Sequence, residues 1–147
     1  MEVPRDFEEF FEVLNTNNVD YLVVGGYAFA IHAKPRFTED LDIFISRDPK
    51  NAERLLRAIA DFGFADAGIG VHDFTDPDQI IQLGYPPFRI DIMTSISGVT
   101  FDEARKNGVE SSYGKQKVFF IGKADLIKNK KAVGRKKDLA DLDELEV

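Results

Sequence analysis

The sequence has no cysteine. Disulfides, a thiolate zinc site and a cysteine nucleophile are therefore excluded, and the composition suits the cytosol. Long apolar runs are also missing: none approaches the ~20 residues that span a bilayer. The first ten residues are acidic and lack the basic-then-apolar order of a signal peptide. No Gly-x-x-x-x-Gly-Lys-Ser/Thr stretch occurs, which excludes a P-loop. There is no internal repeat and no low-complexity segment. These absences predict a soluble, cytoplasmic protein with no membrane partner. The 147 residues fit one compact domain, 1–147. A domain of that size buries roughly 70% of the surface its unfolded chain exposes and needs no covalent or metal staple.

The formal net charge is −7, so the chain is not a default nucleic-acid binder. The charge is uneven. Lys123, Lys128, Lys130, Lys131, Arg135, Lys136 and Lys137 crowd one stretch, and Asp138, Asp141, Asp143, Glu144 and Glu146 follow it. Such runs are usually solvated helix faces carrying opposite-charge pairs. The sharper alternative is that some of these lysines meet a polyphosphate.

Periodicity and turn residues divide the chain. Phe7, Phe10, Phe11 and Leu14 recur at helical spacing, and Asp6 with Glu9 resembles a capping box. Tyr21-Leu22-Val23-Val24 predicts a buried strand closed by Gly25-Gly26. A helix over 26–33 follows, ended by Pro35. Leu41 to Ile45 is a second strand. Asp48 and Pro49 mark the start of a helix whose apolar face is Ala52, Leu55, Leu56, Ile59 and Phe62, stopped at Gly63. Residues 65–78 read as a loop or weak strand. Ile80–Leu83 and Phe88–Met93 are strands joined by Gly84-Tyr85-Pro86-Pro87. Thr100 with Glu103 opens a short helix to Lys106. Residues 117–121 form a late strand. Helices over 124–133 and 137–145 close the chain, broken at Gly134. The order predicts an α+β fold: a mixed β-sheet flanked by helices, with C-terminal helices.

Chemistry enters with Asp40 and Asp42. On a strand they point to one face, with Leu41 and Ile43 on the other. Paired acids leading into apolar Ile43-Phe44-Ile45 repel each other and need a cation or a mouth open to water. Mg²⁺, or Mn²⁺ in its place, favours carboxylate oxygens together with a substrate's phosphates. Asp91 shares a face with Arg89 and Met93, while Ile90 and Ile92 face away. If its strand pairs beside that of Asp40 and Asp42, three carboxylates converge, as in-line phosphoryl transfer requires. Gly25-Gly26 lets the backbone approach a ligand closely, and the helix N-terminus behind it offers free N–H groups to phosphate. Taken singly, a Gly-Gly is often a plain turn and an Asp-x-Asp a solvated strand edge. Their order is what carries information.

That order resembles the nucleotidyltransferase superfamily, with its polymerase-beta-like fold. Val24-Gly25-Gly26, thirteen intervening residues and Asp40-Leu41-Asp42-Ile43 follow the superfamily's pattern. Tyr27, Ala28, His32, Arg36, Thr38, Lys130 and Lys137-Asp138-Leu139-Ala140-Asp141 are similar to the small AbiEii-like group, toxins of toxin–antitoxin systems. The resemblance implies that Gly25 and Gly26 hold the phosphates of an NTP. It implies that Asp40 and Asp42 bind Mg²⁺ and that Asp91 is the third carboxylate, taking the acceptor's proton. Lys130 would contact the triphosphate, and Asp138 would orient Lys130 or its neighbour. The second position of the pattern is Gly or Ser; here it is Gly26, so a serine hydroxyl contact to phosphate is absent. The implied partners are an NTP, a hydroxyl acceptor (tRNA, protein or small molecule) and a cognate antitoxin. Arg36 and Thr38, in the turn before Asp40, are candidates to position substrate. His32 and His72 read more simply as capping or surface residues. The rival reading is a catalytically weak nucleotide-binding or protein-interaction module of the same fold.

Overall fold

A computed structural model describes residues 5–85 and 88–146. The elements run α1 (Arg5–Thr16), β1 (Tyr21–Val24), α2 (Gly25–His32), β2 (Asp40–Ile45), α3 (Pro49–Ile59), a π-helical turn (Ala60–Phe64), α4 (His72–Thr75), β3 (Ile80–Tyr85), β4 (Phe88–Met93), α5 (Phe101–Lys106), β5 (Val109–Tyr113), β6 (Gln116–Phe120), α6 (Lys123–Val133) and α7 (Lys136–Leu145). The strands form one six-stranded mixed sheet in the order β3-β4-β2-β1-β6-β5. β1 runs antiparallel to β2 and parallel to β6, while β2 runs parallel to β4. The fold is α+β, a mixed sheet flanked by helices, as the element order predicts. No described helix is long and apolar enough to cross a membrane.

All four residues of β1 are buried, which is why that strand reads as an unbroken apolar run rather than an alternation. α1 turns Phe7, Phe10, Phe11 and Leu14 inward and packs on α3 and β6. Asp48 caps α3 by accepting the Lys50 N–H at 2.8 Å, with Pro49 in the first turn. Buried Asn51 bonds the Asp20 N–H at 2.7 Å and the carbonyls of Asp20 and Ser46 at 3.1 and 2.9 Å. One amide thus fastens the start of β1, the end of β2 and α3. α6 ends at Gly134, whose φ of +70° lets the chain reverse into α7. α2 packs on β1, β2, α6 and α7.

Three local expectations differ from the structure. Asp6 lies inside the first turn of α1 rather than capping it. Residues 65–78 hold the short helix α4, where Phe74 is buried, instead of a strand. β5 was not expected at all. Four of its five residues are exposed and polar or β-branched, and Tyr113 alone is buried, so neither alternation nor an apolar run marks it. The prolines of the expected 84–87 turn, and residues 1–4, lie outside the described residues.

Candidate active site

Strand register brings the three sequence-predicted carboxylates together. Asp42 on β2 is directly opposite Asp91 on β4, and Asp40 is opposite Arg89. Neighbouring strands lie roughly 5 Å apart, and opposed residues share a face. On its other side Asp42 faces Val24, the last residue of β1. The chain then turns at Gly25 with φ +67° and enters α2. A Cβ on Gly25 would collide with the Asp42 carboxylate. Glycine is thus required twice here, for the left-handed backbone and for the approach of the helix start to the acid. Gly26 packs on Thr38, where an added Cβ would stand 3.0 Å from the hydroxyl oxygen. That hydroxyl donates to the Asp40 carbonyl at 3.2 Å. Gly25, Gly26, Thr38, Asp40, Asp42 and Asp91 therefore form one continuous patch.

The charges of this patch are unevenly met. Arg89 donates from Nε to Asp91 at 2.8 Å, and one terminal nitrogen donates to both Asp91 and Asp40 at 3.1 Å. Asp91 is buried and Asp40 is half-exposed. No hydrogen bond to the Asp42 carboxylate is present among the described residues. Burial, reinforced by the negative charges of Asp91 and Asp40, pushes Asp42 up to about 7, while Lys137 and Arg89 pull in the other direction. Among the described residues no three His, Asp or Glu side chains are grouped so that they alone could hold a metal ion. The donor set nonetheless suits a hard divalent cation. The Arg89 guanidinium already bridges two of the acids as a cation would, and the third is left short of positive charge. Mg²⁺ commonly takes one or two carboxylates plus phosphate oxygens and water.

The remaining sequence candidates gather in a second cluster. Lys130 is 7% exposed. Its ammonium donates to Asp141 at 2.7 Å and lies 3.7 Å from Asp138. Arg36 makes a two-nitrogen pair with the same Asp141 and stacks over Phe29 at 3.8 Å. Burial pushes Asp141 up, but the bonds from Arg36 and Lys130 outweigh it and hold the acid at about 2. Asp138 accepts the Arg135 backbone N–H at 3.1 Å and its Nε at 2.7 Å, capping α7. These residues lock α2, the loop after it, α6 and α7 together. Lys130 is expected to touch triphosphate directly, yet here its charge is already taken up, and Asp138 serves Arg135 more closely than Lys130. His32 donates from Nε2 to the Ile121 carbonyl at 2.6 Å, which ties α2 to the end of β6.

Sequence reasoning passed over three contributors. Arg89 shows only as a basic residue on the face of Asp91; its bridge to Asp40 needs the strand register. Lys137 sits in the charge run but acts on Asp42. Arg135 lines a cleft of about 390 Å³ with Gly25 and Asp42.

A glycine turn into a helix, beside opposed strand carboxylates on a mixed sheet, places the protein in the nucleotidyltransferase class by fold and site layout. The chain belongs to the family described as nucleotidyl transferase of unknown function (DUF2204), whose model matches residues 4–147. The fold is similar to the crystal structure of a “putative nucleotidyltransferase” from Thermotoga maritima. The TM-score is 0.63 at 16% identity, covering 95% of this chain and 89% of that one. At that identity the likeness is one of fold. No curated protein matches the sequence.

Proposed function

We propose that the protein transfers a nucleoside monophosphate from an NTP to a hydroxyl, releasing pyrophosphate. The observation that carries this reading is the opposition of Asp42 and Asp91 beside the Gly25 turn. Mg²⁺, or Mn²⁺, held by Asp40 and Asp42 with Asp91 beside them, would supply the charge that stabilises the phosphates and acidifies the attacking hydroxyl. The start of α2 at Gly25 and Gly26 binds phosphate oxygens through backbone N–H groups. Lys137, which already acts on Asp42 through space, and Arg135 draw the polyphosphate to the cleft. Thr38 and Arg36 hold the loop that carries Asp40, and Lys130 with Asp138 fixes α6 and α7 behind it. The acceptor oxygen bonds to the α-phosphorus as the bond to the bridging oxygen breaks. Asp91 takes the hydroxyl proton, and pyrophosphate leaves.

The acceptor is a hydroxyl of a nucleic acid, a protein or a small molecule. The motif likeness to the AbiEii-like group makes tRNA the first acceptor to try, and a toxin role with an antitoxin partner the corresponding biology. The test is incubation with labelled NTPs, Mg²⁺ and cell extract, alongside Asp42→Ala. Labelling should fall on the order of 10³-fold in rate; equal labelling by both proteins sinks the proposal. The Arg89 bridge, which satisfies two of the acids without a metal, favours a second reading as a nucleotide-binding module. Metal-dependent NTP binding without turnover would select that one.

A further inference from the structure

A second cavity, of about 490 Å³, lies beyond the last residues of β2 and β4. It shares Ser95 and Ile96 with the cleft beside Asp42, so the two hollows meet at one wall. Side chains of a strand alternate between faces, which puts Phe44 on the face of Asp42, roughly 7 Å further along β2. The lining is mainly polar. Ser46, Ser95 and Thr100 each accept a backbone N–H, from Asp48, Asp78 and Glu103 at 3.3, 3.1 and 3.4 Å. These bonds fix three hydroxyls and leave each with its own proton to donate. Asp48 spends one carboxylate oxygen on the start of α3, at 2.8 Å. Asp102 is exposed in the first turn of α5 and makes no hydrogen bond or ion pair with a described residue. Arg47 donates to the Thr75 carbonyl at 3.5 Å. Phe101 is half-buried, and its ring meets that of Phe44 edge to face at 5.3 Å. Fixed hydroxyl donors, carboxylate acceptors and an aromatic ring in one hollow match a ligand with many hydroxyls and an apolar C–H face.

We infer that this second hollow holds the acceptor, and that the acceptor is a small polyhydroxylated ring of the sugar or cyclitol kind. The inference rests on the nucleotidyltransferase reading and selects one acceptor class within it. Ser46, Ser95 and Thr100 donate to the ligand's oxygens. Asp48 and Asp102 accept from its hydroxyls, and Phe101 covers its C–H face. One further hydroxyl reaches past Ser95 to the acids. Its oxygen bonds to the α-phosphorus of the NTP, the bond to the bridging oxygen breaks, Asp91 takes the proton and pyrophosphate leaves. A phosphodiester chain suits the hollow less, because two carboxylates face it against one guanidinium. The tRNA suggested by the motif likeness is therefore the acceptor expected to stay unlabelled.

The experiment supplies labelled NTPs and Mg²⁺ with two fractions of cell extract: the dialysable small molecules, and the dialysed macromolecules with their RNA. A third arm is the dialysable fraction treated with periodate, which cleaves vicinal diols, and quenched before the NTP is added. Wild type should label the dialysable fraction, and periodate should abolish that labelling. Asp102→Ala changes an exposed residue, and the melting temperature checks its folding. It should raise the half-saturating amount of the dialysable fraction about tenfold, the loss of a hydrogen bond to a charged group. Its KM for NTP should stay within about twofold of wild type. Label confined to the macromolecules overturns the inference and leaves the nucleotidyltransferase reading standing. Labelling that survives periodate does the same, as does a half-saturating amount unmoved by Asp102→Ala. Absence of labelling in every fraction overturns both.

Discussion

Two clusters of acidic side chains, one around Asp42 and one around Asp141, are built on opposite principles. Around Asp141, every charge is answered. Two cations bond to one carboxylate, an aromatic ring lies under Arg36, and the acid is held at about 2. Around Asp42, one guanidinium serves two of three acids, and the third is pushed up to about 7. Burial acts in the same direction at both places. What differs is the supply of positive charge. A compensated cluster has the properties of a structural joint. An undercompensated one, next to an open cleft, has the properties of a site that completes itself with something from outside.

The contrast can be broken most directly at Asp141. Asp141→Asn leaves Arg36 without its counter-charge and Lys130 with only the more distant Asp138, 3.7 Å away, and the loss of a buried partner should cost ~3–5 kcal/mol. Urea denaturation would register this as a lower midpoint with little change in slope. Asp42→Asn should do the reverse. Its folded value of about 7 lies above the ordinary 3.8, so the native state holds more protons between those limits and stability falls as pH rises through them. Removing the acid should therefore raise stability at pH 8 by ~2 kcal/mol, or roughly 4–8 °C in Tm. At pH 4 the gain should vanish, and a gain of equal size at both pH values would contradict the account. Asp141 has the opposite sign. Its stabilisation is full above the ordinary carboxylate range and is lost as pH falls through about 2.

A smaller effect separates the clusters by ligand. Mg²⁺ or Mn²⁺ at saturating concentration should stabilise the wild type at pH 8 by ~1–2 kcal/mol, read as a rise in Tm. Asp42→Asn should lose that response, whereas a response retained there would place the cation elsewhere. The smallest effect is expected at Lys34, whose exposed pair with Glu144 at 3.0 Å also ties the α2 loop to α7. Lys34→Ala should change stability by under ~1 kcal/mol, against several for the buried pair a few residues away.

The residues of the candidate centre were legible in the sequence because each leaves a local mark. Gly25-Gly26 interrupts an apolar run, and Asp40, Asp42 and Asp91 are charges inside strands. The pairing that joins them was not legible, because Asp42 and Asp91 meet through hydrogen bonds between segments far apart in the chain. Lys130 was singled out from its lysine run by the motif likeness, as a phosphate contact; that it is buried and bonded to Asp141 follows only from the fold. β5 escaped notice because an edge strand facing water needs no apolar pattern.

The order of strands in the sheet also fixes when the centre can exist. β2 acquires its neighbour β4 across a separation of 49 residues, the span of the Arg89–Asp40 bond. β1 acquires β6 only when Val23 meets Phe120. Such distant pairings close late, because the entropy of large loops must be overcome before they form. A nascent chain emerging from the ribosome therefore carries Asp40 and Asp42 long before it can oppose them with Asp91. Any activity lodged in this centre is silent until β4 and β6 have been made, and binding at the cleft would report completed pairing as much as chemistry.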